Sequence, residues 1–201
     1  GHCCENNETG IDQDEYDTHS VHLIVKHIEN QSLIGTYRII EHPNNNIQEF
    51  YSAQEFDLTN IPNSILSDTI ELGRSCVHPD FRNTSVISLL WAGIATTMLR
   101  SSTHYTMGCA SLTETSPIHA WAIWDYLKKQ NKQSYDFMVK PKQDYILERP
   151  SDEEIRKYQQ ENTDFKRTIP PLIKGYLSTG GKIYGEPAFD RKFGTIDFLM
   201  I

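Results

Sequence analysis

Val21, Leu23 and Val25 recur at every second position, interleaved with His22, Ile24 and Lys26, which is the two-residue period of a strand. The polar run Glu29-Asn30-Gln31-Ser32 turns the chain into a second strand, Leu33 to Glu41, so the two predict a hairpin. His42-Pro43-Asn44-Asn45-Asn46 reads as a loop, and Ser52-x-x-Glu55 has the spacing of a capping box opening a short helix. Asn60 to Ser67 is a further loop. A third strand covers Asp68 to Val77, interrupted by Gly73 and stopped by Pro79. A helix follows from Thr84-Ser85 to about Arg100, then an apolar strand from Tyr105 to Leu112. Ser116-Pro117 is an N-cap and first-turn pair for a helix carrying Trp121 and Trp124. Tyr135 to Val139 reads as a strand. The charged stretch Pro141 to Thr168 contains a capping-box start at Ser151-x-x-Glu154. A short helix after Pro170-Pro171 ends at Gly180-Gly181, and Thr195 to Ile201 closes the chain as a strand.

Strands alternating with helices in this order predict an α/β (mixed, α+β) fold, a central mixed sheet with helices packed on it. A length of 201 residues suits one domain with one core, and no internal repeat is visible. Residues 1–11 read as a tag scar, Gly1-His2, followed by a disordered or truncated N-terminus. With 38% hydrophobic and 23% charged residues the chain has ordinary soluble composition. The most apolar stretch, Val86 to Leu99, is interrupted by Ser88, Thr96 and Thr97 and is too short to span a bilayer. No charged-then-apolar leader precedes the first strand, which argues against export. Four irregularly spaced cysteines give no disulfide framework, so the expected location is a reducing cytoplasm. A net charge of -8 without a long basic run argues against nucleic acid as a partner.

The densest local chemistry is Glu71-Leu72-Gly73-Arg74-Ser75-Cys76-Val77, ending at His78-Pro79. Strict alternation sets Glu71 and Arg74 on opposite faces of the strand. A bulge at Gly73 would shift the phase, bring them to one side, and free backbone N–H groups at Cys76 and Val77 for an oxyanion. Beyond it, Arg82, Asn83, Thr84, Ser85 and Val86 open a helix whose N–H groups and dipole favour a phosphate, with Arg82 the best side-chain ligand. Arg38 shares a strand face with Ile34, Thr36 and Ile40 and needs a carboxylate, for which Asp14, Asp17 and Glu71 are candidates.

The runs ELGRSCVHPDFR (71–82), GCASL (108–112), PPLIKGYL (170–177) and GEPAFDRKFGTIDF (185–198) resemble the ornithine-lipid-type N-acyltransferases and related N-acyl amino acid synthases. The openings DEYDTHSVHLIV (14–25) and IGTYRII (34–40) resemble the same group, and also acyl-homoserine-lactone synthases and exosortase-associated acyltransferases. The resemblance covers residues 12–201 and implies a GNAT acyltransferase fold with a bulged strand. It further implies a phosphopantetheine thioester as donor substrate, carried by acyl carrier protein or coenzyme A, with no permanently bound cofactor. The acceptor is an amino acid, and the lipid product implies peripheral contact with a membrane. By this resemblance Glu71 matches the motif's glutamate, and Asp14, Asp17 and Arg38 form an ionic cluster near the acceptor.

The reaction imposes requirements of its own. An α-amine is largely protonated at neutral pH, so a group must accept a proton, and Glu71 is the carboxylate best placed. Cys76 as a covalent nucleophile is disfavoured because a cysteine in an apolar strand is normally a buried small hydrophobe, and the resemblance implies direct transfer. His22 and His27 fall on opposite strand faces, which disfavours zinc. His78 is read as a loop cap, the tryptophans as core, and Lys174 as a helix-surface residue. An acidic carrier protein would need a basic patch, for which Arg82, Arg100, Lys128, Lys129 and Lys132 are candidates.

Overall fold

The computed structural model describes residues 13–41, 46–82, 84–112, 114–130, 132–134, 136–137 and 139–201. The expectations for residues 1–11, for the loop at 42–45, for Asn83 and for part of the strand at 135–139 lie outside them. The strands are β1 (Ser20–Lys26), β2 (Leu33–Glu41), β3 (Phe56–Asp57), β4 (Thr69–Val77), β5 (Tyr105–Leu112), β6 (Gln133–Ser134), β7 (Lys140–Pro141), β8 (Ile183–Tyr184), β9 (Ala188–Asp190) and β10 (Thr195–Met200). The helices are α1 (Asn63–Leu66), α2 (Thr84–Ser101), α3 (Pro117–Lys129), α4 (Asp152–Glu161) and α5 (Pro171–Ser178), with short 3-10 turns between them.

The main sheet runs β1-β2-β4-β5-β10-β8-β6, with β9 also on β10, while β3 and β7 form a separate pair. β4–β5 and β6–β8 are parallel and the other ladders antiparallel, so the sheet is mixed. β2 is buried at six of its nine positions, on both faces, as expected of a strand covered on both sides. On one face α2 sets Val86, Leu90 and Ile94 against Tyr37, Ile39, Ile70 and Leu72. Alternation along β5 and β10 sends Ala110, Leu112, Ile196 and Phe198 into the core of α3 and α5. Met107 and Leu199 go instead to the core under residues 50–66. The sheet is thus covered by helices on one face and by a loop-rich segment on the other.

β4 and β5 touch only at their starts, Thr69 to Glu71 against Tyr105 to Met107. Beyond Glu71, β4 stays with β2 while β5 runs on beside β10 from Gly108 to Leu112, so a wedge opens between them. Gly108 stands at its apex because a Cβ there would lie 2.4 Å from the Leu72 carbonyl oxygen. The Ser151 capping box forms as expected, with Glu154 reaching back to the Ser151 backbone N–H. The Ser52-x-x-Glu55 box does not: Tyr51–Gln54 is a 3-10 turn without a side-chain cap, and both predicted cap residues are spent elsewhere. No helix among the described residues is long and apolar enough to cross a membrane.

Candidate active site

Glu71 lies at the apex of the wedge, 2% exposed. Its carboxylate accepts the backbone N–H of Tyr51 at 2.5 Å and of Ser52 at 2.7 Å, and the Ser52 hydroxyl also donates to it. A buried carboxylate therefore ties the 3-10 turn to the sheet, which is where the Ser52 hydroxyl goes in place of a helix cap. Burial pushes Glu71 up to about 7, against the pull of the Ser52 and Tyr51 hydrogen bonds and the Arg38 charge. A carboxylate poised near neutrality suits proton transfer from an amine.

Arg38 is also 2% exposed. Its Nη1 meets Asp14 at 2.6 Å and Asp17 at 3.2 Å, and its guanidinium packs against both the Tyr16 and Tyr51 rings, 5.6 and 5.5 Å from their centroids. Arg74 Nη2 reaches the other Asp14 oxygen at 2.8 Å. Asp14 thus bridges two arginines while capping the turn at Glu15–His19, and Asp17 closes that capping box. Burial raises both aspartates, but for Asp14 the two arginines, and for Asp17 the Asp14 N–H and Arg38, outweigh it and hold them low. Asp14, Asp17, Arg38 and Arg74 therefore stand together, with Arg74 tied to Asp14.

The bulge in β4 falls one residue later than Gly73. Gly73 keeps its register opposite Arg38, and the extra residue sits between it and Cys76, with Arg74 left-handed at φ 48. A non-glycine there costs about 1–2 kcal/mol, offset by the tie from Arg74 to Asp14. The His78 N–H bonds to the Ile34 carbonyl, and an antiparallel ladder alternates. The Cys76 N–H is therefore committed to β2, contrary to the expectation that it would be free, while Val77 directs its polar groups into the wedge. Arg82 Nε donates to the Val77 carbonyl at 3.3 Å, placing Arg82 at the wedge mouth beside the start of α2. Ser85 is exposed there, whereas the Val86 side chain is buried against β2, leaving only its backbone to serve a ligand.

Cys76 is exposed rather than buried, because the bulge turns this end of β4 outward. His78 caps the following turn, accepting the Asp80 N–H at 3.3 Å. Trp121 and Trp124 are core, but Trp91 is partly buried and lines a cavity of about 390 Å³ with Leu72, Met98, Tyr176 and Met200. Lys174 is exposed and donates to the Arg167 carbonyl. Of the candidate basic residues, Arg82 and Arg100 flank opposite ends of α2, about 27 Å apart, and do not share a patch. Lys128 lies over the Trp124 ring, and Lys132 donates to the Leu177 carbonyl.

One group escapes the sequence reading. Glu55, Asp190 and Asp197 are buried at 2, 5 and 2% exposure, with carboxylate oxygens within 4.8 Å of one another. Asp197 interrupts the apolar run Thr195 to Ile201, which is the signal that could have found it. Burial, joined by neighbouring acidic charges, raises Glu55 and Asp197.

Raised carboxylates bind protons more tightly folded than unfolded, so their contribution to stability falls as pH rises through the folded value. Glu71, near 7 folded against 4.5 unfolded, alone contributes about 1.4 kcal/mol on going from pH 8 to pH 6. Thermal unfolding should therefore move up by roughly 3–6 °C over that interval. Asp14 and Asp17, held low, have the opposite sign, but their stabilisation is lost only in the acid range below it. A melting temperature that falls from pH 8 to pH 6 would contradict the assignment.

Comparison with known proteins places this geometry. An acetyltransferase (GNAT) domain matches residues 1–92. The L-ornithine N(alpha)-acyltransferase of Brucella abortus is 32% identical over 94% of this chain and 69% of its own length. This chain belongs to that family of GNAT acyltransferases. Similar proteins of the same name in Agrobacterium fabrum and Rhodobacter capsulatus are 30% and 29% identical, over 66% and 75% of their lengths. The chain thus spans about two thirds of the relatives it matches. The crystal structure of aminoglycoside 6'-N-acetyltransferase complexed with coenzyme A covers 90% of the chain and 71% of its own, at 10% identity and a TM-score of 0.43. As a GNAT acyltransferase, the chain is an enzyme that moves an acyl group, and the wedge beside Glu71 is the candidate place.

Proposed function

We propose that this acyltransferase moves a long-chain, 3-hydroxylated or plain, fatty acyl group from a phosphopantetheine thioester to the α-amine of an amino acid. Ornithine is the favoured acceptor, since the relatives carry that name. The observation that carries this reading is the buried Glu71 at the apex of the wedge between β4 and β5. The pantetheine arm enters the wedge past Arg82 and Ser85, and the acyl chain turns into the cavity beside Trp91, whose volume and the apolar part of whose lining, Leu72, Trp91, Met98 and Met200, suit an alkyl chain. The amine nitrogen attacks the thioester carbon while Glu71 takes its proton. The Val77 N–H faces the developing oxyanion. Collapse breaks the C–S bond, forms the amide, and expels the pantetheine sulfur, which leaves as the thiol by taking the proton that Glu71 removed. The Asp14, Asp17, Arg38 and Arg74 cluster fixes the wall against which the acceptor lies.

The donor is carried by acyl carrier protein, with acyl coenzyme A as the competing source of the same arm, and docking is centred on the Arg82 side. Release of free thiol from either donor, measured with ornithine, glycine and S-adenosylmethionine in turn, tests the reading. Ornithine- or glycine-dependent release supports it, and release only with S-adenosylmethionine, giving an acyl-homoserine lactone, sinks it. Arg82→Ala should weaken donor use by about 1.5–3 kcal/mol, the worth of a charge-assisted hydrogen bond. Unchanged donor KM and kcat/KM in that variant would place the phosphate elsewhere.

A further inference from the structure

We infer that Glu55, Asp190 and Asp197 form a subsite for the side-chain ammonium of a basic amino-acid acceptor. This rests on the amino-acid N-acyltransferase reading and adds to it the residues that choose the acceptor.

The three carboxylates come from separate places, the end of the 3-10 turn, β9 and β10, yet their oxygens lie within 4.8 Å of one another. Donors already serve part of the group. Asp190 Oδ1 accepts the N–H groups of Lys192 at 2.8 Å and Phe193 at 3.0 Å, and Asp197 Oδ2 accepts the Thr195 hydroxyl at 2.9 Å. Among the described residues Glu55 Oε2 and Asp197 Oδ1 are buried with no partner in hydrogen-bond geometry, although the Ser111 side chain stands beside Asp197. Among the described residues no cation pairs with Glu55 or Asp197. A buried carboxylate oxygen without a donor is costly, and three acids packed together repel. An ammonium answers both costs, because it carries three donors and one positive charge.

The position relative to Glu71 decides which cation belongs there. The Ser52 hydroxyl donates to Glu71, the Cys109 thiol donates to Ser52 Oγ at 3.4 Å, and the Glu55 carboxylate lies beside the same thiol. Leu199 opposite Cys109 and Asp197 opposite Ser111 set Asp197 and Cys109 on one face of the sheet. Two side chains therefore separate the carboxylate that takes the α-proton from the carboxylates that lack a cation. An α-amino acid whose side chain ends in an ammonium carries the second cationic nitrogen that such a neighbouring acidic group calls for; glycine or a neutral amino acid leaves the second subsite empty.

The test compares ornithine with norleucine, in which a methyl group replaces the terminal ammonium, as acceptors for the whole protein with one acyl thioester. The wild type should favour ornithine by about 100-fold or more in kcat/KM, since a site with unpaired polar groups rejects the analogue that cannot pair them. Asp197→Asn and, separately, Glu55→Gln should cut that ratio at least about 10-fold, mainly through acceptor KM, with donor KM unchanged. The ratio is insensitive to partial misfolding, which lowers both rates together. Equal use of ornithine and norleucine by the wild type would overturn the subsite while leaving the amino-acid N-acyltransferase reading intact. Turnover of neither would bring down the reading itself. Loss of ornithine transfer on chelation, restored by Mg²⁺ or Ca²⁺, would show a divalent cation in place of the ammonium and would also overturn it.

Discussion

Glu71→Gln should lower kcat by about 10²–10⁴-fold at pH 7, the usual contribution of general-base catalysis. The amide keeps the size of the side chain and one acceptor oxygen. If that oxygen stays on Ser52, the new NH2 group faces the Tyr51 N–H, donor against donor. One unsatisfied buried donor costs about 1–3 kcal/mol, so a lower melting temperature should accompany the kinetic loss without unfolding the protein. The two effects separate by pH. If Glu71 removes the proton, the kinetic defect shrinks as pH rises and more acceptor amine arrives deprotonated. A loss equal at every pH would mean that Glu71 only positions the Tyr51–Ser52 turn. Near-wild-type kcat at pH 7 with saturating substrates would remove it from the chemistry altogether.

The largest expected stability effect belongs to the ionic cluster. Asn is a good helix cap, so the double change Asp14→Asn, Asp17→Asn keeps the capping geometry at Glu15–His19 and removes only charge. It leaves Arg38, 2% exposed, without a counter-ion among its contacts there. An uncompensated buried charge costs about 3–5 kcal/mol. Because the Asp14 and Asp17 side chains keep 23% and 17% exposure, the low end, about 3 kcal/mol, is expected. Chemical denaturation of both proteins measures it directly. An unchanged midpoint would show that water, rather than the two aspartates, balances Arg38.

Much of this architecture was legible in the sequence because it is local. The alternation at Val21 to Val25, the apolar runs at 69–77 and 105–112, and the Ser151 and Pro117 helix starts each depend on a few neighbouring residues. What escaped is set by contacts distant along the chain. Ser52 and Glu55 have capping-box spacing, but Glu71, 19 residues on from Ser52, offers its hydroxyl a buried carboxylate, and Glu55 is drawn toward Asp190 and Asp197. Gly73 looked like the bulge because glycine tolerates unusual backbone. The left-handed residue is instead Arg74, held by Asp14 60 positions earlier. Cys76 looked buried because it falls in a strand that also carries Ile70, Leu72 and Val77, and the bulge turned it out. Arg82 and Arg100 were separated by the length of α2, which composition does not reveal.

The measurement that bears most directly on the account is the fate of a labelled acceptor. Ornithine carrying ¹⁵N only at the α-position, incubated with the protein and a fatty acyl phosphopantetheine thioester, should yield a product whose ¹⁵N resonance has moved from the amine to the amide region and shows one attached proton. Free pantetheine thiol should appear in equal amount. Thiol release with the label still in the amine region, whether from hydrolysis of the donor or from acylation at the side-chain nitrogen, would contradict transfer to an α-amine guided by Glu71.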